Sequence, residues 1–316
     1  MTARRVIVDC DPGQDDFINL MLIAAAPELF EVIAITTVAG NVGLSLTTHN
    51  ARLACDWAGW ARTPVYAGCP APLMRPLATA EHVHGATGLD GLAAAEPGTP
   101  LDDSHAVPAM IDALRGADAP ITLIATGPLT NIATALIMAP DIADGIEQIV
   151  LMGGARRAGG NITPSAEFNM AVDPHVASRV AAAGIPLVGL GLDVTHQLRM
   201  TGPRRARLRE IGRPVTTAVA DMLDSTTARM NIGLDDGPPL HDPCTALFLI
   251  DPMLFDLQDC HLAVETDSPM TYGHTLVDLD GATGRPINAR WATTIDDEAA
   301  FACIEQRLAG LAARAG

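Results

Sequence analysis

Four carboxylates, Asp9, Asp11, Asp15 and Asp16, fall within VIVDCDPGQDD at residues 6–16, directly behind an apolar run. Charges of one sign at that density repel unless a counter-charge holds them. A divalent cation is the natural one, and an oxygen-only surrounding selects a hard ion, calcium or magnesium. Pro12-Gly13 is a turn pair that lets Asp11 and Asp16 point back at one centre. Helix capping accounts for part of the cluster, because Asp15 and Asp16 would sit in the first turn of a following helix, where its dipole favours negative charge. It does not account for Asp9 and Asp11 on the strand side. The segment therefore reads as a metal or substrate site.

Four more polar segments share its setting. TTVAGN (36–41), ATGPLTN (125–131), MGG (152–154) and GLDVTH (191–196) each close an apolar run of strand length. Strands are expected at 5–9, 32–37, 65–67, 121–125, 149–152 and 187–192. Helices are expected at 15–26, 45–58, 106–115, 131–138 and 174–183. Continuous Val/Ile/Leu runs suit strands covered on both faces, and their alternation with helices predicts an α/β fold: a doubly wound, mostly parallel, Rossmann-like sheet with helices on both faces. In such sheets ligands bind at the carboxyl edge, where these five segments collect. The last third is less regular. One or two helices are expected over 203–225, one over 242–250, and extra strands at 261–264 and 274–277, with antiparallel pairing open. Residues 69–105 are loop-rich and could cover a site. No repeat or linker divides the chain, which reads as one domain over 1–316.

Composition narrows the chemistry. The net charge of −17 argues against nucleic acid and anionic membranes as partners. No apolar stretch is long enough for a membrane span, and the run behind Arg4 and Arg5 is too short for a signal peptide, so a cytoplasmic location is expected. Six scattered cysteines without a CxxC pair read as free thiols rather than a zinc site. All 20 basic residues are arginine. Without lysine, Schiff-base chemistry, a Walker lysine and a Ser–Lys pair are excluded, and a phosphatase of the DxD type loses weight.

VDCDPGQDD resembles the amino-terminal signature of the inosine–uridine-preferring nucleoside hydrolases, DxDPGxDD. TTVAGN, HGATGL (84–89), ATGPLTN, LMGGA, NITPSAEFNMAVDP (161–174), GLDVTH and HDPCTA (241–246) resemble that family's blocks in its order, covering most of the chain. The resemblance implies hydrolysis of the N-glycosidic bond of ribonucleosides, hence a role in purine or pyrimidine salvage, with one bound Ca²⁺. It implies Asp11, Asp16, Asp242 and the carbonyl of Thr126 as metal ligands, completed by a water and the ribose 2′- and 3′-hydroxyls. Asp11 is implied as general base, Asp15, Asn41 and Asn169 as ribose ligands, and Asn161 and Glu167 as partners of the 5′-hydroxyl. His241 matches the histidine some members use as general acid, and a structural hydrogen-bonding role is the alternative. His84 is a candidate for the base pocket. Phe168 and Met152 are candidates for nucleoside and sugar contact, with core packing as the alternative.

Departures from the pattern concern the base. The segment 224–243 carries no aromatic where some relatives use one, and Arg229 stands where a tyrosine is expected in tolerant members. Arg229 is a candidate for a base carbonyl or a solvated helix residue. Gln14 replaces an apolar residue, with no need for its side chain to enter the site. A small-molecule ribonucleoside is the expected partner, and the family implies a homodimer or homotetramer. A non-catalytic ribose-binding member and a metal-dependent phosphohydrolase are the alternatives.

Overall fold

The computed structural model describes residues 3–233 and 236–311. Its strands are β1 (Arg4–Cys10), β2 (Phe30–Thr37), β3 (Val65–Ala67), β4 (Ile121–Ala125), β5 (Ile146–Met152), β6 (Leu187–Leu190), β7 (Phe255–Val264), β8 (Thr275–Asp278) and β9 (Ala289–Ile295). They form one nine-stranded sheet in the order β3-β2-β1-β4-β5-β6-β9-β7-β8. The strands from β3 to β9 in that order pair parallel, and β7 runs antiparallel to both β9 and β8.

The apolar runs are continuous because alternate residues serve two different cores. Val6 and Val8 of β1, Ile124 of β4 and Val150 of β5 face one core, with helices Gln14–Ala24, Leu44–Ala58, Pro214–Arg229 and Asp297–Gly310. Ile7, Leu123, Ile149 and Leu151 face the other, with helices Ala106–Gly116, Thr130–Met138 and Pro174–Ala181. Strand side chains alternate across the sheet, so burial on both faces needs no polar interruption.

The chain winds from β1 out to β3 and then returns across β1 to β4. This reversal splays the loops after β1 and β4 apart and opens a crevice at their carboxyl ends. Asp9 of β1 pairs in register with Ala125 of β4 and Thr36 of β2. The polar loops that follow these strands therefore border the same crevice.

Several elements differ from the sequence reading. The strand expected at 187–192 stops at Leu190. Gly191 packs so tightly on Trp291 that a Cβ there would lie 2.2 Å from Cζ2, and Leu192–Thr195 turns helical. Residues 203–225 belong to two helices, Gly202–Ile211 and Pro214–Arg229, divided at Gly212, whose φ of 69° ends the first. Segment 261–264 is the end of the longer β7, and 274–277 corresponds to β8, paired antiparallel. Strand β9 and helix Asp297–Gly310 were not anticipated. In ARWATTI small and polar residues interrupt the apolar pattern, and its place between β6 and β7 comes only from the assembled sheet.

Candidate active site

The β1 loop builds the floor. Asp11 is wholly buried, with Oδ2 accepting the backbone N–H of Asn41 at 2.8 Å. Glycines permit this approach: a Cβ on Gly40 would lie 1.9 Å from Asp11 Oδ2, and one on Gly127 would lie 2.9 Å from Oδ1. Asp16 opens the next helix, accepting from Gly13 N at 3.0 Å, Asn41 Nδ2 at 3.3 Å and Thr126 Oγ1 at 2.7 Å. Asp242 arrives from the start of helix Pro243–Ile250 and brings a carboxylate oxygen within 4.8 Å of oxygens of Asp15 and Asp16. A buried latch makes that meeting possible. Asn19 Oδ1 accepts from Thr245 Oγ1 at 3.1 Å and from Ala246 N at 3.2 Å, locking the two helices together.

Carboxylates gathered this closely repel unless a proton or a cation sits between them. Burial, with Asp15 beside it, pushes Asp16 up to about 7. Burial and the Asp16 charge raise Asp11 well above the carboxylate range, and burial with Asp15, Asp16 and Asp11 does the same to Asp242. Oxygens of Asp15, Asp16 and Asp242 lie within 4.8 Å of one another, and Asp11 Oδ1 and Asp15 Oδ1 are buried without hydrogen-bond partners. A hard cation fits these donors, which are all oxygen and converge with unsatisfied lone pairs. Among the described residues the group that meets this spacing contains Asp15 with the expected Asp16 and Asp242, and does not include Asp11. The Thr126 carbonyl accepts Asn169 Nδ2 at 2.9 Å and keeps one lone pair. Asp9 plays a different part, since its Oδ1 accepts from Thr36 Oγ1 at 2.6 Å and Asn131 Nδ2 at 2.8 Å, bracing the floor from below.

Above the floor lies a half-open cavity of about 170 Å³, whose walls include Asp15, Asn41, His84, Thr126, Met152, Asn161, Glu167, Phe168, Asn169, His241 and Asp242. Asn169 spends its Nδ2 on the carbonyls of Thr126 and Met152, which leaves its Oδ1 as the free end. Glu167 caps the short helix Phe168–Val172, accepting from Asn169 N, Met170 N and Gly154 N. Burial still outweighs those bonds and pushes it up to about 7. Asn161 is exposed at the rim, its Oδ1 accepting from Phe168 N. His241 Nδ1 lies 2.8 Å from Thr195 Oγ1, and burial drives its pKa down to about 4. Arg229 is not in the cavity wall: it forms an ion pair with Asp90. The Glu81–His84 turn within the loop-rich 69–105 segment contributes to the wall, as does Met230 just after helix Pro214–Arg229.

A family model described as inosine-uridine preferring nucleoside hydrolase matches residues 6–302. The chain belongs to that family. This nucleoside hydrolase is 45% identical over 299 residues to the pyrimidine-specific ribonucleoside hydrolase RihA of Shewanella sp. strain ANA-3, covering 93% of this chain and 92% of the relative. Among solved structures it resembles a plant nucleoside hydrolase, PpNRh1 (TM-score 0.90, 30% identity, 97% of this chain and 99% of the other). It also resembles the purine-preferring ribonucleoside hydrolase of Gardnerella vaginalis (TM-score 0.91, 29% identity, 99% and 100%). The protein is an N-glycosyl hydrolase that cleaves nucleosides.

Of the side chains that carried no role from sequence, three matter to this nucleoside hydrolase's site, two in the cavity wall and one, Thr195, bonded to a wall residue. Gln14 is buried and bonds His84 Nδ1 at 2.7 Å, so its side chain does enter the site. His196 lines the wall with its ring 5.7 Å from that of His241, and burial, helped by Arg199, lowers its pKa. Thr195 holds His241. GLDVTH signalled the last two by its place after a strand, and DPGQDD contained the first, but the partners come from segments far away in sequence.

Proposed function

We propose that the protein is a calcium-dependent hydrolase of pyrimidine ribonucleosides. The observation that carries the reading is the convergence of Asp15, Asp16 and Asp242 oxygens within 4.8 Å beneath a cavity walled by polar groups, with Asp11 Oδ1 and Asp15 Oδ1 unpartnered beside it. Asp11, Asp16, Asp242 and the Thr126 carbonyl would hold Ca²⁺, with Asp15 near enough to join. When bound, the ion supplies positive charge that acidifies water and orients ribose hydroxyls.

The chain's own groups do the rest. Asp15, Asn41 and the free Oδ1 of Asn169 grip the ribose, while Asn161 and Glu167 take the 5′-hydroxyl, and Met152 and Phe168 pack against the nucleoside. As the bond from C1′ to the base nitrogen breaks, its electron pair leaves with the base and positive charge grows on the ring. The surrounding carboxylates stabilise that charge. Asp11 removes a proton from the water whose oxygen attacks C1′. His241 serves the leaving base. Burial keeps its ring neutral, and in the tautomer in which the Thr195 hydroxyl donates to Nδ1 the Nε2–H is left to hydrogen-bond the departing base, which then takes its proton from solvent. The pyrimidine preference is supported by relatives named as pyrimidine-specific at 41–45% identity, against 29% for the purine-preferring structure.

The test is release of reducing sugar from uridine, cytidine, inosine and adenosine, with chelator and after return of calcium. Pyrimidine ribonucleosides should yield ribose, EDTA should stop the release, and Ca²⁺ should restore it. Turnover indifferent to EDTA would refute the metal, and faster cleavage of inosine than of uridine would refute the base preference. A 2′-deoxynucleoside should be cleaved at least about a hundredfold more slowly, since the groups built for its missing hydroxyl stay unpaired.

A further inference from the structure

Gln14 dictates the chemistry of a neighbouring side chain. Its Nε2 donates to two carbonyls, His84 O at 2.9 Å and Asp90 O at 3.2 Å. Only the NH₂ end of a carboxamide can do so, and the oxygen is therefore the end facing His84 Nδ1, 2.7 Å away. An amide oxygen accepts and cannot donate, which places a hydrogen on Nδ1. Burial lowers the His84 pKa despite the nearby Asp15, so the ring is neutral. A neutral imidazole with Nδ1–H carries a bare lone pair on Nε2. Among the described residues Nε2 has no protein partner, and His84 lines the cavity.

The backbone pins this pair. A Cβ on Gly13 would fall 2.4 Å from His84 Nδ1, so the ring seats against a bare turn. Asn50 Nδ2 donates to Pro12 O and Thr87 O, both at 2.9 Å, tying the β1 loop to the loop that carries His84. The Gln14 amide cannot turn over to serve the other tautomer, because its oxygen would then face two carbonyl oxygens.

We propose that Gln14 is a positioning residue that fixes His84 as a hydrogen-bond acceptor toward the base, so that the site prefers uracil-type bases, which present a ring N–H, over cytosine-type bases, which present a bare ring nitrogen. The proposal rests on the nucleoside-hydrolase reading above, with the base lying against His84. Facing an N–H, the Nε2 lone pair gains a bond. Facing a bare nitrogen, it opposes a second lone pair in a confined site, and the locked tautomer has no way to adapt.

Two measurements separate the lock from its use. In calcium-loaded protein labelled with ¹⁵N-histidine at neutral pH, the His84 signals, assigned by their loss in His84→Asn, should show Nδ1 protonated and Nε2 bare. A protonated Nε2 beside a bare Nδ1 would overturn the proposal. For turnover, wild type should favour uridine over cytidine in kcat/KM by about tenfold. Gln14→Met fills the space without these bonds and should cut that ratio at least about threefold. An equal loss for both substrates in Gln14→Met, or a wild type that favours cytidine, would overturn the proposal. If no nucleoside were cleaved at all, the hydrolase reading would fail and the specificity with it, while the nitrogen signals would still judge the lock.

Discussion

At the scale of single residues, the acidic floor is a place where stability and function oppose each other. Asp242 and Asp16 meet without a fixed positive side chain between them. Replacing one by a neutral isostere removes the repulsion and also removes one of the proposed calcium ligands. Asp242→Asn should therefore raise the melting temperature of chelator-treated protein by about 2 °C or more at pH 8, while abolishing the shift that calcium produces in the wild type. A thermal shift series with EDTA and with excess Ca²⁺ reads both, and a lower melting point of the variant in EDTA would contradict the account. The pH dependence follows in sign. Asp16 moves from 3.8 to about 7 and Asp9 from 3.8 to about 6, so the folded chain holds protons that the unfolded chain releases. Their contribution is complete below 3.8 and is lost as pH climbs through 6 and 7. Metal-free protein should lose stability between pH 5 and pH 8 on the scale set by those shifts, and saturating calcium should flatten that fall, because the cation replaces the proton at Asp16. A metal-free protein that gained stability over that range would exclude this.

At the scale of elements, the site depends on two helices distant in sequence being held at one separation. Asn19 performs that task from inside the contact between Gln14–Ala24 and Pro243–Ile250, without touching the cavity. Asn19→Leu keeps the volume and removes the latch. Outer-shell partners of metal ligands typically matter by 10–100-fold in affinity, and about a tenfold weaker calcium affinity is expected in isothermal titration, with helix content by circular dichroism unchanged. Unaltered affinity would mean that packing alone sets the Asp16–Asp242 approach. The loop after β2 is held to the same tolerance, since Asp11 Oδ2 occupies the space a Cβ on Gly40 would need. Gly40→Ala should cost at least about a hundredfold in kcat, because a displacement near 1 Å of a reacting group has that effect.

At the scale of the whole molecule, the walls of the cavity come from segments scattered along the chain, and one ion pair spans two of them. Asp90, in the loop-rich segment, pairs with Arg229 at the end of helix Pro214–Arg229. Both side chains are partly open to water, where such pairs contribute about 0–1 kcal/mol. Arg229→Ala should leave the order of base preference intact and change KM by no more than about threefold in kinetics on uridine and cytidine. A reversed preference would assign Arg229 to the base after all.

Sequence alone determined the periodicities and the neighbours along the chain. Strand-length runs buried on both faces specify the parallel sheet, and DCDPGQDD specifies an acidic turn at its carboxyl edge, because side-chain alternation and turn chemistry are local. It did not reveal β9 or helix Asp297–Gly310, whose burial comes from elements far off in sequence. Nor did it separate Asp9, whose Oδ1 is held by Thr36 and Asn131 beneath the floor, from Asp11, whose Oδ2 is held by the backbone of Asn41. The tertiary structure decided that Asp242 reaches Asp16, that Arg229 turns to Asp90, and that Gln14 fixes the ring of His84. Each of those outcomes turns on where a side chain finds its partner in space. Hydrogen bonds and ion pairs form over about 3 Å, a distance that chain order does not encode when the partners lie on different elements.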